Sequence, residues 1–250
     1  MIRRISSMTF GIAVSLAGTS ALAQEASAEA TAAVPAAAAG GSFGRSGDLA
    51  LSVDRVFGFA HTSTKVEPDV AGGGTTTTSS TGFSLIGRLA PSAYQIPRFG
   101  IDYFITDNVS IGGSIAFMTE SGETEFEGPG LSTKTDQSAS VFLIAPRAGY
   151  ALMFSDMFGI WPRGGFTFFT RTIEQDNAAT NQKNTANGFS LTIEVPLILS
   201  PADHIALTIA PTLDFPITGS GTQEQTGVQN IDSDVKTTDF GVAVGLLTWF

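Results

Sequence analysis

From Phe240 to the end the chain alternates. Phe240, Val242, Val244, Leu246, Thr248 and Phe250 fall on one side, and Asp239, Gly241, Ala243, Gly245, Leu247 and Trp249 on the other. A period of two means a β-strand whose faces meet different surroundings. One face is apolar and the other is mostly small. The same plan recurs from Gly47 onward. Leu49, Leu51, Val53, Phe57 and Phe59 alternate with Asp48, Ala50, Ser52, Asp54, Gly58 and Ala60, and Arg55 interrupts the apolar row. Phe99, Ile101, Tyr103 and Ile105 oppose Arg98, Gly100 and Asp102. Further alternating stretches cover 109–120, 138–153, 158–171, 188–199 and 205–215.

The connections alternate too. Thr106-Asp107-Asn108, Ser155-Asp156 and Ser200-Pro201-Ala202-Asp203 read as tight turns. Thr62–Thr81, Glu120–Gln137, Glu174–Asn187 and Thr218–Lys236 read as long polar loops. Three turns and four loops give eight antiparallel strands. The segment 82–90 alternates as well, and is assigned to the distal part of strand two or to ordered structure in the first loop. Pro97, Pro146 and Pro162 each precede an arginine, and each removes a ladder hydrogen bond, so bulged or irregular pairing is expected there.

Which way the apolar row points decides the environment. In soluble antiparallel barrels it faces inward, and the outer row is long and charged. Here the opposite row is Gly, Ala, Ser and Thr with isolated charges. Small residues suit the inside of a narrow eight-stranded tube. Short turns, long loops and apolar-out strands are the plan of a transmembrane barrel. The competing reading is a soluble barrel with a ligand-binding interior. Arg98, Asp102, Arg147, Arg163, Glu194, Asp214 and Asp239 all fall on the small-residue row. An arginine on the lipid face costs about 2–4 kcal/mol at the midplane. These seven are therefore expected to pair inside the barrel, in a plugged interior.

The last strand resembles that of Gram-negative outer-membrane β-barrels, in which a terminal Phe follows a Gly five residues upstream. Phe250 and Gly245 match that pattern, whereas Thr248 and Ala243 depart from it. The resemblance implies that Gly245 and Phe250 form an assembly signal for the barrel-assembly machinery. It also implies an all-β, eight-stranded, antiparallel, up-and-down transmembrane barrel of the OmpA and OmpX type, monomeric, in contact with outer-membrane lipid and lipopolysaccharide.

Residues 1–23 read as a secretory signal peptide: Arg3-Arg4, a short apolar run from Met8 to Ala17, and Ala21-Leu22-Ala23 as a cleavage site. Residues 24–46, rich in Ala and Glu, read as a disordered periplasmic linker, and 47–250 as the barrel. The net charge of −10 argues against nucleic acid as a partner. With no cysteine, an exported chain depends on its fold alone.

Candidate chemistry is sparse. The chain has two histidines. His61, near Thr62, Ser63 and Glu67, is placed at the outer rim, where barrel enzymes of this architecture carry their sites. His204 follows a turn at the opposite end. Two histidines without cysteine make no common transition-metal cluster. Glu120, Glu123, Glu125 and Glu127 lack a calcium-loop pattern. Gly72-Gly73-Gly74 precedes no Lys-Ser or Lys-Thr pair, so it is no phosphate cradle. No cofactor or metal is expected. The leading expectation is a structural or surface-interaction role through the external loops. The others are a narrow pore for ions or small solutes, and a surface lipid- or peptide-modifying enzyme.

Overall fold

The computed structural model describes residues 43–70, 73–85, 92–128, 131–177 and 180–250. The expected signal peptide, and the expected linker up to residue 42, lie outside the described residues. The elements are β1 (Leu49–Pro68), β2 (Thr76–Leu85), a 3-10 helix (Ala93–Gln95), β3 (Arg98–Thr106), β4 (Val109–Gly128), β5 (Leu131–Tyr150) and β6 (Leu152–Ser155). They continue with β7 (Phe158–Ile160), β8 (Arg163–Asn177), β9 (Asn181–Glu194), β10 (Leu197–Ala202), β11 (Ile205–Gln225) and β12 (Val228–Trp249).

These pieces make eight barrel strands, because four of the eight are interrupted. β5 and β6 part at Ala151, β7 and β8 at Trp161-Pro162, and β9 and β10 at Val195-Pro196. Proline removes a ladder donor, which accounts for the second and third breaks. Pro97 stands just before β3, and Pro146 costs β5 its pairing to β8 between Ile144 and Arg147. The barrel closes where β12 pairs with β1, from Ala50↔Trp249 to Pro68↔Ser233.

The second barrel strand is the most altered. β1 pairs with β3 through Leu49–Asp54, then with β2 through Phe57–Val66. Thus β2 and β3 share one place in the wall. Between them the chain turns inward, and Ala93, Tyr94, Gln95 and Ile96 are buried. The ambiguous alternation after Gly82 is accordingly the end of β2, the distal part of strand two, with residues 86–90 outside those described.

The four polar stretches read as loops are largely ladder. β4 and β5 pair without a register shift from Val109↔Tyr150 to Gly128↔Leu131. β8 and β9 pair out to Asp176↔Asn181, and β11 and β12 to Gln225↔Val228. Above the lipid both faces of a strand meet water, so the alternation fades while backbone pairing continues. β12 has 22 residues, whereas about 9–11 suffice to cross a membrane. The third turn is also displaced: Ser200–Ala202 belong to β10, and Asp203-His204 turn the chain with His204 at φ 62°.

Alternation sorts the faces. On β3, Arg98, Gly100, Asp102 and Phe104 are buried while Phe99, Ile101, Tyr103 and Ile105 are exposed. Phe117 is 71 % exposed and its neighbour Ala116 2 %. A belt of such exposed apolar side chains requires lipid, since no water-soluble surface carries one this extensive. No helix among the described residues is long and apolar enough to cross a membrane, and the crossing elements are strands.

Candidate functional site

The lumen concentrates the buried polar chemistry, and it is filled at three levels. The mouth at the short-turn end is aromatic. Phe43, which falls in the stretch expected to be linker, packs edge-on against Phe104 and Trp161 at 5.0 Å and against Trp249 at 5.3 Å. Its segment is fastened locally: the amides of Gly44 and Arg45 donate to Asp48, and that of Ser46 donates to Asp107. Trp161 is fully buried, and its Nε1 donates to Ser110 Oγ at 3.1 Å.

The middle level is ionic. Arg147 reaches Asp102 at 2.6 Å and Asp54 at 2.7 Å. Arg163 reaches Glu194 at 2.9 Å and Asp54 at 3.3 Å, with its guanidinium 4.6 Å from the centre of the Trp161 ring. Arg55 reaches Glu194 and Asp214, each at 2.8 Å. Thr192 Oγ1 donates to the second Asp214 oxygen at 2.6 Å. Several short contacts per ion offset the cost of desolvating it, which a single pair seldom does.

The upper level is the inward segment. The guanidiniums of Arg55 and Arg98 both donate to the carbonyl of Tyr94, the latter at 2.9 Å. Gln95 Nε2 donates to Asp239 at 2.8 Å and to Thr62 Oγ1 at 2.9 Å. The Tyr94 ring lies edge-on to Phe169, with centroids 5.1 Å apart. Ile96 is fully buried among Ala116, Val141, Leu143 and Ala145.

The seven charged residues singled out in the sequence all lie buried on the lumen side, but they divide. Asp102, Arg147, Arg163, Glu194 and Asp214 join one network of ion pairs, and Asp54 and Arg55 complete it. Arg98 and Asp239 hold the inward segment instead. Asp239 bonds Thr62 and Gln95, and Arg98 has no carboxylate within 4.0 Å among the described residues. Sequence reasoning passed over Asp54, Arg55, Tyr94 and Gln95 as lumen residues. Asp54 stood on the small row. Arg55 stood out of phase, a sign of the bulge that the register shift between Val53 and Phe57 reveals.

The other candidates are not gathered into a site. His61 lies on the outer face, its Nδ1 2.7 Å from Thr81 Oγ1 and its ring 5.6 Å from that of Phe240. Thr62 points the opposite way, into the lumen, and Glu67 pairs with Lys65. His204 Nδ1 meets the Trp249 carbonyl at 2.9 Å. Glu123 pairs with Lys134 at 2.9 Å. That hydrogen bond raises the ammonium pKa of Lys134 above its usual value. No group of three or more His, Asp or Glu among the described residues is arranged to hold a metal ion. Gly245 leaves no room for a side chain, since a Cβ there would lie 2.7 Å from Val53 O and from Thr208 Oγ1. Phe250 is exposed, and its backbone bonds Leu49 in both directions.

Residues 97–246 match the family model described as the outer membrane protein beta-barrel domain. Among solved structures the chain is similar to the outer membrane protein OprG of Pseudomonas aeruginosa, at 17% identity over 83% of this chain and 97% of that one, TM-score 0.46. It is similar to Ail, the attachment invasion locus protein of Yersinia pestis, at 13% identity over 82% and 100%, TM-score 0.34. It is also similar to the outer membrane protease OmpT of Escherichia coli, at 8% identity over 81% and 97%, TM-score 0.43. No curated protein matches the chain.

Proposed function

The chain belongs to the outer membrane protein beta-barrel domain family, and on that premise we propose that it is a sealed outer-membrane anchor. In this reading it carries four β-hairpins at the cell surface for interaction with other molecules, and neither conducts nor catalyses. The observation that carries the reading is the filled lumen beneath extended hairpins. Aromatic rings, ion pairs and the Tyr94–Gln95 segment occupy successive levels, while β11 and β12 continue pairing to Gln225↔Val228. A rigid scaffold with its variable chemistry at the rim is a common arrangement for recognition.

The absence of catalysis is part of the proposal and rests on His61. Its imidazole is turned toward Thr81 and Phe240 on the outer face, and the hydroxyl of its neighbour Thr62 is bound to Asp239 in the lumen. Export by the signal peptide of residues 1–23, assembly through Gly245 and Phe250, contact with lipopolysaccharide and a monomeric state belong to the same reading.

The test has two readouts. An epitope inserted at Gly227, the tip of the fourth hairpin, is expected to be reached by antibody on intact cells. Proteoliposomes carrying the intact chain are expected not to admit small sugars. Sugar uptake above that of empty liposomes contradicts the sealed lumen, and a hidden epitope contradicts surface display.

A further inference from the structure

The ring of strands is complete at the level of β3 and open above it. β3 pairs with β1 from Leu49↔Tyr103 to Asp54↔Arg98, and with β4 from Phe99↔Ile115 to Thr106↔Val109. Toward the hairpin tips β2 takes the place of β3 against β1, but it does not pair with β4. Beyond Ile115, β4 therefore pairs with β5 alone among the described residues, and β2 with β1 alone. A strand edge is a row of backbone donors and acceptors on which another strand can form. Proteins guard such edges with proline, with bulges or by keeping them short. β4 has 20 residues, no proline, and an unshifted register with β5 out to Gly128↔Leu131. From Ser121 to Glu125 every residue is exposed, whichever face it stands on, so the described chain leaves this length of β4 uncovered.

Charge limits what can dock there. Glu123 and Glu125 stand on one face of β4, by the period of two. Asp136 and Lys134 lie opposite them on β5. Lys134 bonds Glu123 at 2.9 Å and lies 3.8 Å from Asp136, so this face sets one cation against three acids. β2, across the gap, is Thr, Ser and Gly with Phe83 and Leu85, and carries no charge. An arriving strand with acidic side chains is repelled by Glu123 and Glu125. One with basic side chains at alternate positions meets both in favourable cross-strand pairs.

We propose that the outer edge of β4 is a docking site for an extended basic segment of a partner polypeptide, which adds as an antiparallel strand beside residues 121–128. This rests on the surface display proposed above and names its partner class. Backbone hydrogen bonds hold the segment, and Lys or Arg at every second position selects it. The antiparallel sense is the more stable of the two pairings.

The experiment uses the purified chain, residues 24–250, folded in zwitterionic detergent. A fluorescent peptide of alternating Lys and Thr, about eight residues long, is titrated against it and read by anisotropy. Saturable binding is expected. It is expected to vanish when every second peptide amide is N-methylated, since the charge is unchanged but one edge of the peptide no longer donates. Glu125→Lys, with folding confirmed by the heat-shifted band, turns an attractive pair into a repulsive one and is expected to weaken binding about tenfold. Amide exchange over residues 121–128 is expected to slow when the peptide is added. Equal binding of the methylated peptide reduces the contact to charge attraction and overturns the strand addition. Slow exchange in both β2 and β4 without peptide means that the two edges pair with each other, and overturns it as well. No binding at all leaves the acids as guards of the edge and also overturns it. If antibody still reaches the Gly227 epitope in that case, surface display stands while the docking site falls.

Discussion

Arg55 shows how much one residue can reorganise here. It sits at φ 57° in the bulge of β1, a conformation that costs a side-chain-bearing residue roughly 1–2 kcal/mol. The strain is offset by bonds to Glu194, Asp214 and the Tyr94 carbonyl. Arg147 is the other hub, bonded to Asp54, Asp102 and Ser52. Arg147→Ala leaves two buried carboxylates short of their partner and is expected to cost about 3–5 kcal/mol. The folded band on unheated SDS gels is then expected to melt well below the wild-type temperature, and an unchanged melting temperature contradicts the network. Phe43→Ala removes a ring from the aromatic mouth and is expected to cost about 3 kcal/mol, read by the same melting. Arg147 and its partner Asp102 were legible in the sequence because a charge on the small-residue row faces inward. Arg55 was not, because its bulge shifts the phase. Phe43 was not, because one aromatic in an Ala-rich stretch carries no periodicity.

At the scale of elements, lipid makes a strand legible and water does not. Phe99, Ile101 and Tyr103 declare β3, since their alternation follows the two faces of the wall. The outer half of β12, from Val228 to Thr238, is mostly polar, with Val228, Ile231 and Val235 as its apolar residues and no strict alternation, and backbone pairing reveals it as strand. The three-residue helix at Ala93–Gln95 is shorter than any period, so its entry into the lumen left no pattern to read. The hairpins are exposed ladders, and pairs such as Lys183–Glu174, with both side chains more than 40 % exposed, add little stability. Replacing residues 221–232 by a two-residue turn is therefore expected to leave the barrel's melting on SDS gels within a few degrees of wild type. A loss of the folded band on that replacement shows that the fourth hairpin supports the wall.

At the scale of the molecule, charge is divided by residue type. Lys65, Lys134, Lys183 and Lys236 lie one on each hairpin, whereas Arg55, Arg98, Arg147 and Arg163 are packed in the lumen. A guanidinium stays protonated and offers a planar fork to two carboxylates, which suits a crowded interior. An ammonium is strongly hydrated and suits the surface. The exposed apolar belt places the barrel in the membrane; in the proposed reading the packed lumen closes it and the hairpins extend it outward. The central claim is that closure. It is tested most directly by single-channel recording of the purified chain, residues 24–250, in planar bilayers at several voltages. The expected result is a silent bilayer in the presence of barrel confirmed as folded by its heat-shifted band. Discrete, reproducible conductance steps from that folded barrel contradict it, and show that the Tyr94–Gln95 segment and the ion pairs beneath it leave a path open.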